Sequence, residues 1–258
     1  MSISLASVKR IAPEPVRRSV RRRKLDRALV NAFFANAEEL DRYREELRAS
    51  PLQGHIADAK ARFRQMVVGT NARGREYNFG GLGSEAGPRL YALIRKVGPE
   101  RVVETGVCNG VSSSLILQAL HENGTGGLWS IDLPEEEGSK TPDTHWSGKG
   151  GAVVPAGRTS GWIIPDYLRA RWSLRRGRSQ DELVPLLDEL GGIDLFIHDS
   201  EHSYECMSFE FQTAFPHLGG GGILATDDVS MNTAFEEFAA WASRPVVRLD
   251  DGVALIRK

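Results

Sequence analysis

Only two cysteines, Cys108 and Cys206, occur in 258 residues, and they stand 98 positions apart with no C-x-x-C pair. That scarcity excludes a disulfide framework and a cysteine-built zinc or redox motif, and it favours an intracellular, cytoplasmic setting. No apolar run approaches the roughly 18 residues of a membrane span, so a soluble protein is expected. Charge of one sign is lacking too: 33 Lys+Arg face 34 Asp+Glu. With 41% apolar and 26% charged residues, global disorder and collagen-like or coiled-coil repeats are excluded. The length suits one large α/β domain with a sizeable core.

The near-neutral total hides an asymmetry. Residues 1–24 carry Lys9, Arg10, Arg17, Arg18, Arg21, Arg22, Arg23 and Lys24 against Glu14, a balance of +7, which leaves −8 for the rest. A nucleic-acid arm or a transit peptide are the sharp readings. A solvated basic tail leading into the first helix, or packed on an acidic partner subunit, is the plain one and is preferred, because a charge run alone has little specificity.

Residues 25–98 read as a helical preface. Apolar residues at helical spacing from Leu25 to Leu47 predict a helix over about Lys24–Ala49, ended at Ser50-Pro51. A weaker helix follows near Leu52–Val67, then a glycine-rich loop, then a helix from about Ser84 to Val97. The apolar stripes make homodimerisation through these helices a plausible expectation.

From residue 99 the grammar becomes strand–helix alternation. Strands are expected at 101–105, 127–132, 172–177, 193–199 and 222–228, with helices Ser112–His121, Asp181–Leu190, Tyr204–Phe215 and Thr233–Ala242 between them. That spacing implies a parallel sheet with helices on both faces. The closing PVVRLD-DG-VALIRK reads as a hairpin, making seven strands. One connection, 133–167, is unusually long, rich in Gly and Pro, and carries Trp146 and Trp162; it is expected to be a lid that packs on something.

In such a sheet ligands sit at the carboxyl ends of the strands. The first strand ends in E-T-G-V-C-N-G-V-S-S (104–113), where glycines permit a tight turn and Ser112 can cap the next helix. It is not the dinucleotide G-x-G-x-x-G, because Cys108 occupies the second glycine's place. Glu104 would repel a phosphate but suits an ammonium or sulfonium cation. Asp132 ends the second strand, where a carboxylate can accept from two vicinal ribose hydroxyls. Strands four and five end in Asp199, then His202, and in Asp227-Asp228. Converging carboxylates repel unless a cation or protons intervene, and oxygen donors in that number suit Mg²⁺. His202, three residues beyond a strand-end acid, is placed to take a hydroxyl proton. Tyr204 is expected to pack at a helix start, and both cysteines to be small buried residues.

VVETGVCNGVSS, SIDLP, RGRS, FIHDSEH and GGGGILATDD together resemble the successive motifs of class I S-adenosylmethionine-dependent methyltransferases. The subgroup they resemble is that of small-molecule O-methyltransferases with a strand-four D-x-x-H and a strand-five D-D. The resemblance covers about Tyr77–Lys258. It implies a doubly wound, Rossmann-like α/β fold, with a seven-stranded sheet of order 3-2-1-4-5-7-6 and strand seven antiparallel. It implies that Glu104, Gly106 and Gly110 line the methionine part of the cofactor, that Asp132 holds the ribose and Ser179 lies beside the adenine, and that Ser112 is among the cofactor-binding residues. Gly80 and Ser84, in the loop before the preceding helix, would approach the cofactor. Asp199, Asp227 and Asp228 match acids that hold a divalent metal in metal-dependent relatives, although several of those subfamilies end the set with Asn. The implied reaction moves a methyl group to a hydroxyl of a small molecule, with Asp199 and His202 at the reacting edge. A nucleic-acid methyltransferase using the basic arm and a non-catalytic or NAD-dependent Rossmann protein are the other readings.

Overall fold

The computed structural model describes residues 13–71, 74–137 and 151–258. The preface holds three helices, α1 (Glu14–Phe33), α2 (Ala37–Ala49) and α3 (Leu52–Met66). The single helix expected over 24–49 is therefore two. Phe34 is extended, and the Asn36 side chain accepts the Glu39 N–H, so a new helix starts where the periodicity alone showed continuity. The helical run also begins earlier, at Glu14, and takes in much of the expected basic tail. Arg18 and Arg22 lie near Glu85, and Arg21 pairs with Asp251. Much of the basic run is thus matched by acids of the same chain.

A fourth helix, α4 (Ala86–Val97), leads into the sheet: β1 (Arg101–Thr105), α5 (Val111–Asn123), β2 (Gly127–Asp132), the short α6 (Asp166–Arg169), β3 (Trp172–Arg176), α7 (Ser179–Leu190), β4 (Ile193–His198), α8 (Tyr204–His217), β5 (Leu218–Thr226), α9 (Ala234–Trp241), β6 (Val247–Arg248) and β7 (Ala254–Arg257). The strand order is β3-β2-β1-β4-β5-β7-β6, and β7 runs antiparallel to both of its neighbours. The expected seven-stranded topology is the observed one.

Period-two alternation divides the strand side chains between two cores. Val102, Leu195, Ile197, Ile223 and Leu255 pack with the preface helices, α4 and α5. Val103, Phe196, Leu224 and Ile256 pack with α7, α8 and α9 on the other face. Both faces of the sheet are therefore covered, and open surface for a ligand is left at the strand ends. Among the described residues no helix is long and apolar enough to cross a membrane.

The expected lid is fixed in place where it is described. Trp146 and residues 138–150 lie outside the described residues, but the chain from 151 to 165 is fixed to the body. Val153, Val154, Ile163 and Ile164 are buried, and bridges join Asn78 to Ala152 and Glu136 to Val154. Apolar burial on this scale makes the second half of the segment a wall instead of a cover.

Candidate active site

Four strand ends are tied one residue beyond the ladder. Gly106 N–H donates to Ile131 O, Asp199 N–H to Thr105 O, Asp227 N–H to His198 O and Gly177 N–H to Asp132 O. These bonds bring the ends of β1 to β5 to one edge, which opens into a cavity of about 420 Å³. Its floor is the Gly106–Cys108 turn. Asp132 and Ser179 stand on one side, Asp199, His202, Asp227 and Asp228 on the other, and Gly80 with Ala152 forms a third wall. Two of the three described non-glycine residues with positive φ, Cys108 and Asp228, line it. Such backbone is sparsely populated by L side chains and gathers at ligand sites.

The turn is built by close approach. Gly106 has φ +85°, and any side chain on it would strike the Asp199 backbone. Gly110, at φ +98°, lies against Gly161, so the 151–165 wall sits directly on the turn. Asn109 locks that contact: its Nδ2 donates to Phe79 O and Val153 O, and its Oδ1 accepts from Trp162 Nε1. Trp162 is therefore a structural tryptophan. Gly81 completes the packing, because a Cβ there would collide with Val111.

Asp132 accepts the Val107 and Cys108 N–H groups at 3.1 and 3.2 Å. Burial raises its pKa, opposed by these bonds and one from Ser160. It holds the turn in shape and also faces the cavity.

Glu104 lies behind this surface, outside the cavity lining and fully buried. Ser112 donates to its Oε1 at 2.7 Å, and Ser113 and Ser130 donate to Oε2 at 2.6 and 2.9 Å. Burial lifts its pKa to about 7 despite the three hydroxyls. Ser112 does not cap the helix as expected, because Gly110 holds the cap position and the serine hydroxyl is drawn to Glu104. Gly110 and Ser112 also stand outside the cavity lining. Ser84 lies at a separate hollow with Arg18, Arg22 and Asp251.

At the opposite edge, burial raises the Asp199 pKa well above the usual range, helped by the charges of Asp227, Glu104 and Asp228. Burial likewise raises Asp227, with Asp228 and Asp250 adding to it. Asp228 is raised by burial as well, partly offset by His198. His202 Nε2 faces Asp228 Oδ2 at 3.5 Å and Asp199 Oδ1 at 4.0 Å. Among the described residues no three His, Cys, Asp or Glu side chains are gathered closely enough to hold a metal ion.

Tyr204 does not pack at its helix start as expected; it is exposed and donates to Glu237. Cys206 is buried, whereas Cys108 is only half-buried and lines the cavity, with burial pushing its thiol pKa up and away from a thiolate. Three residues that matter here escaped the sequence reading. Asn109 was visible only as a turn residue. His198 and Glu210 are both fully buried. Glu210 interrupts an apolar stripe formed by Met207, Phe211 and Ala214, and a lone acid in such a stripe is a signal that could have found it.

Comparison with known proteins bears on the domain and the fold. Residues 103–229 match the family described as a methyltransferase domain. No curated protein sequence matches the chain. Among solved structures, cofactor-bound Rv0187 from MTB is similar at 16% identity, over 79% of this chain and 89% of that one, with a TM-score of 0.51. The SAH-bound Podospora anserina methyltransferase PaMTH1 is similar at 14% identity, over 96% and 97%, with a TM-score of 0.50. These two likenesses bear on the fold. Residues 103–229, just under half of the chain, thus resemble a methyltransferase domain, which supports an S-adenosylmethionine-dependent methyltransferase.

Proposed function

We propose that this methyltransferase moves the methyl group of S-adenosylmethionine to a hydroxyl oxygen of a small-molecule acceptor. One observation carries the reading: a single cavity has Asp132 on one wall, the Gly106–Cys108 turn as its floor, and the Asp199–His202 edge on the other wall. Asp132 accepts from the ribose hydroxyls, and Ser179 lies beside the adenine. The sulfonium then rests over the turn, with buried Glu104 beneath it as a stabilising charge. The acceptor enters from the Asp199–His202 side.

In the transfer the S–CH₃ bond breaks as the O–CH₃ bond forms. The sulfur keeps the electron pair, and the acceptor proton passes to His202 Nε2. The products are S-adenosylhomocysteine and a methyl ether. The sulfonium is already a good leaving group, so the chain mainly aligns acceptor oxygen, carbon and sulfur and removes one proton.

Asp199, Asp227 and Asp228 offer the oxygen donors that a hard divalent cation takes, and Asp227 and Asp228 raise the pKa of Asp199, a repulsion that a positive charge would relieve. They would hold Mg²⁺ only by drawing closer together than the described side chains stand. Bound there, the ion would lower the acceptor hydroxyl pKa and fix its direction.

Against a nucleic-acid substrate stand the ion pairs of α1, whose Arg18, Arg21 and Arg22 are matched by acids of this chain. Incubation with methyl-labelled S-adenosylmethionine and a panel of phenol, catechol and sugar hydroxyl acceptors tests the proposal, with and without a chelator. Label on oxygen supports it. Label only on nitrogen, or only on nucleic acid, contradicts it. Loss of turnover on chelation, restored by Mg²⁺, supports the cation.

A further inference from the structure

Behind His202 the structure contains a buried chain of side chains that the transfer chemistry above does not use. Glu210 on α8 and His198 at the end of β4 are both fully buried. His198 Nδ1 lies 2.7 Å from Glu210 Oε2, and His198 Nε2 lies 3.2 Å from His202 Nδ1. The two imidazoles meet edge to face, with centroids 5.2 Å apart and planes at 79°. On its other side His198 meets the Phe211 ring, also edge to face, at 5.6 Å. Its orientation is therefore set from both sides.

Proton positions follow from the acceptor at the end of the chain. Glu210 receives Thr105 Oγ1 on Oε2 at 2.5 Å, and Ser200 Oγ on Oε1 at 2.7 Å. Cys206 Sγ approaches Oε1 at 3.5 Å. Two hydroxyls and the His198 ring thus converge on the two Glu210 oxygens. An ionised carboxylate only accepts, so His198 Nδ1 must carry the proton between them. If His202 receives the acceptor proton on Nε2, its Nδ1 already carries one, and that N–H donates to His198 Nε2. The His202 lone pair is then on Nε2, the nitrogen that faces Asp199 and Asp228 across the cavity edge.

We infer that His198 and Glu210 are positioning residues that fix the ring and the tautomer of His202, so that Nε2 faces the acceptor as the proton-accepting nitrogen. The role resembles that of any buried carboxylate that orients a base through its far nitrogen, here extended by one imidazole. It rests on the reading of His202 as the base. A merely structural pair would need neither the second imidazole contact nor a particular tautomer on His202.

The test uses the full-length protein with S-adenosylhomocysteine bound. Long-range ¹H–¹⁵N spectra of ¹⁵N-histidine-labelled protein report the tautomer of each ring, with the His202 signals assigned by their loss in His202→Ala. The expected result is a His202 ring protonated at Nδ1 and bare at Nε2. A ring protonated at Nε2 and bare at Nδ1 in the wild type overturns the inference, and that reading requires no variant to fold. As a second arm, His198→Gln and Glu210→Gln should lower kcat by about 10–100-fold, by analogy with lost orienting partners elsewhere. KM for S-adenosylmethionine should stay unchanged. Unchanged kcat in folded His198→Gln also overturns the inference. His202→Ala separates the two claims. Full activity there defeats His202 as the base, whereas low activity with the wrong wild-type tautomer defeats only the positioning role.

Discussion

Gly106 at the end of β1 lies against the backbone carbonyl of Asp199 at the end of β4, so closely that no side chain fits between them. The floor of the cavity and its reacting edge are thus one contact. Gly106→Ala must either push the two strand ends apart or strain a backbone at φ +85°. Overpacking of this kind costs about 1–3 kcal/mol. A lower melting temperature and no thermal shift with S-adenosylhomocysteine are expected. A variant with normal melting and normal ligand shift would show that the strand ends can separate freely.

Asp132→Ala is expected to weaken S-adenosylmethionine binding by roughly 1–3 kcal/mol, the cost of leaving hydrogen-bonding groups unpaired. The Val107 and Cys108 N–H groups lose their acceptor at the same time. Titration calorimetry measures it, and unchanged affinity would remove Asp132 from the site.

Glu104 gives a pH signature of definite sign. Its folded pKa of about 7 lies above the ordinary carboxylate value of 4.5. Between those values the folded chain holds a proton that the unfolded chain has released, so stability falls as pH rises from about 4.5 to 7. At pH 8 the penalty is on the order of 3 kcal/mol. Glu104→Gln should remove this slope, and its melting temperature should exceed that of the wild type at pH 8 but not at pH 4. Parallel pH dependence in the two proteins would mean that Glu104 is ionised throughout.

The strands were legible because each is a short β-branched run between helical stretches, and alternation such as Val102/Val103 feeds two faces; their order came from the resemblance to methyltransferase motifs. The strand-end acids and His202 were legible because in such a fold the strand ends are where ligands sit. The break at Phe34–Asn36 was not, since the apolar spacing runs across it and only the Asn36 cap marks it. Nor was the placement of Glu104 behind the turn, which depends on three serines converging from α5 and β2. His198 and Glu210 meet through tertiary packing of β4 on α8, which no local pattern encodes.

Asn109 connects the turn to the 151–165 wall. Asn109→Ala leaves the Phe79 and Val153 carbonyls and the Trp162 N–H without that partner. Each unsatisfied buried group costs about 1–3 kcal/mol. Limited proteolysis should find wild-type residues 151–165 protected and the variant cut there. Ready cleavage within 151–165 of the wild-type chain would contradict the fixed wall.

A crystal structure of the wild-type protein with S-adenosylhomocysteine tests the site most directly. The ribose hydroxyls are expected on Asp132, the adenine beside Ser179, and the sulfur over the Gly106–Cys108 turn, facing Asp199 and His202. A cofactor bound elsewhere, or lying in this cavity with its ribose away from Asp132, would contradict the assignment.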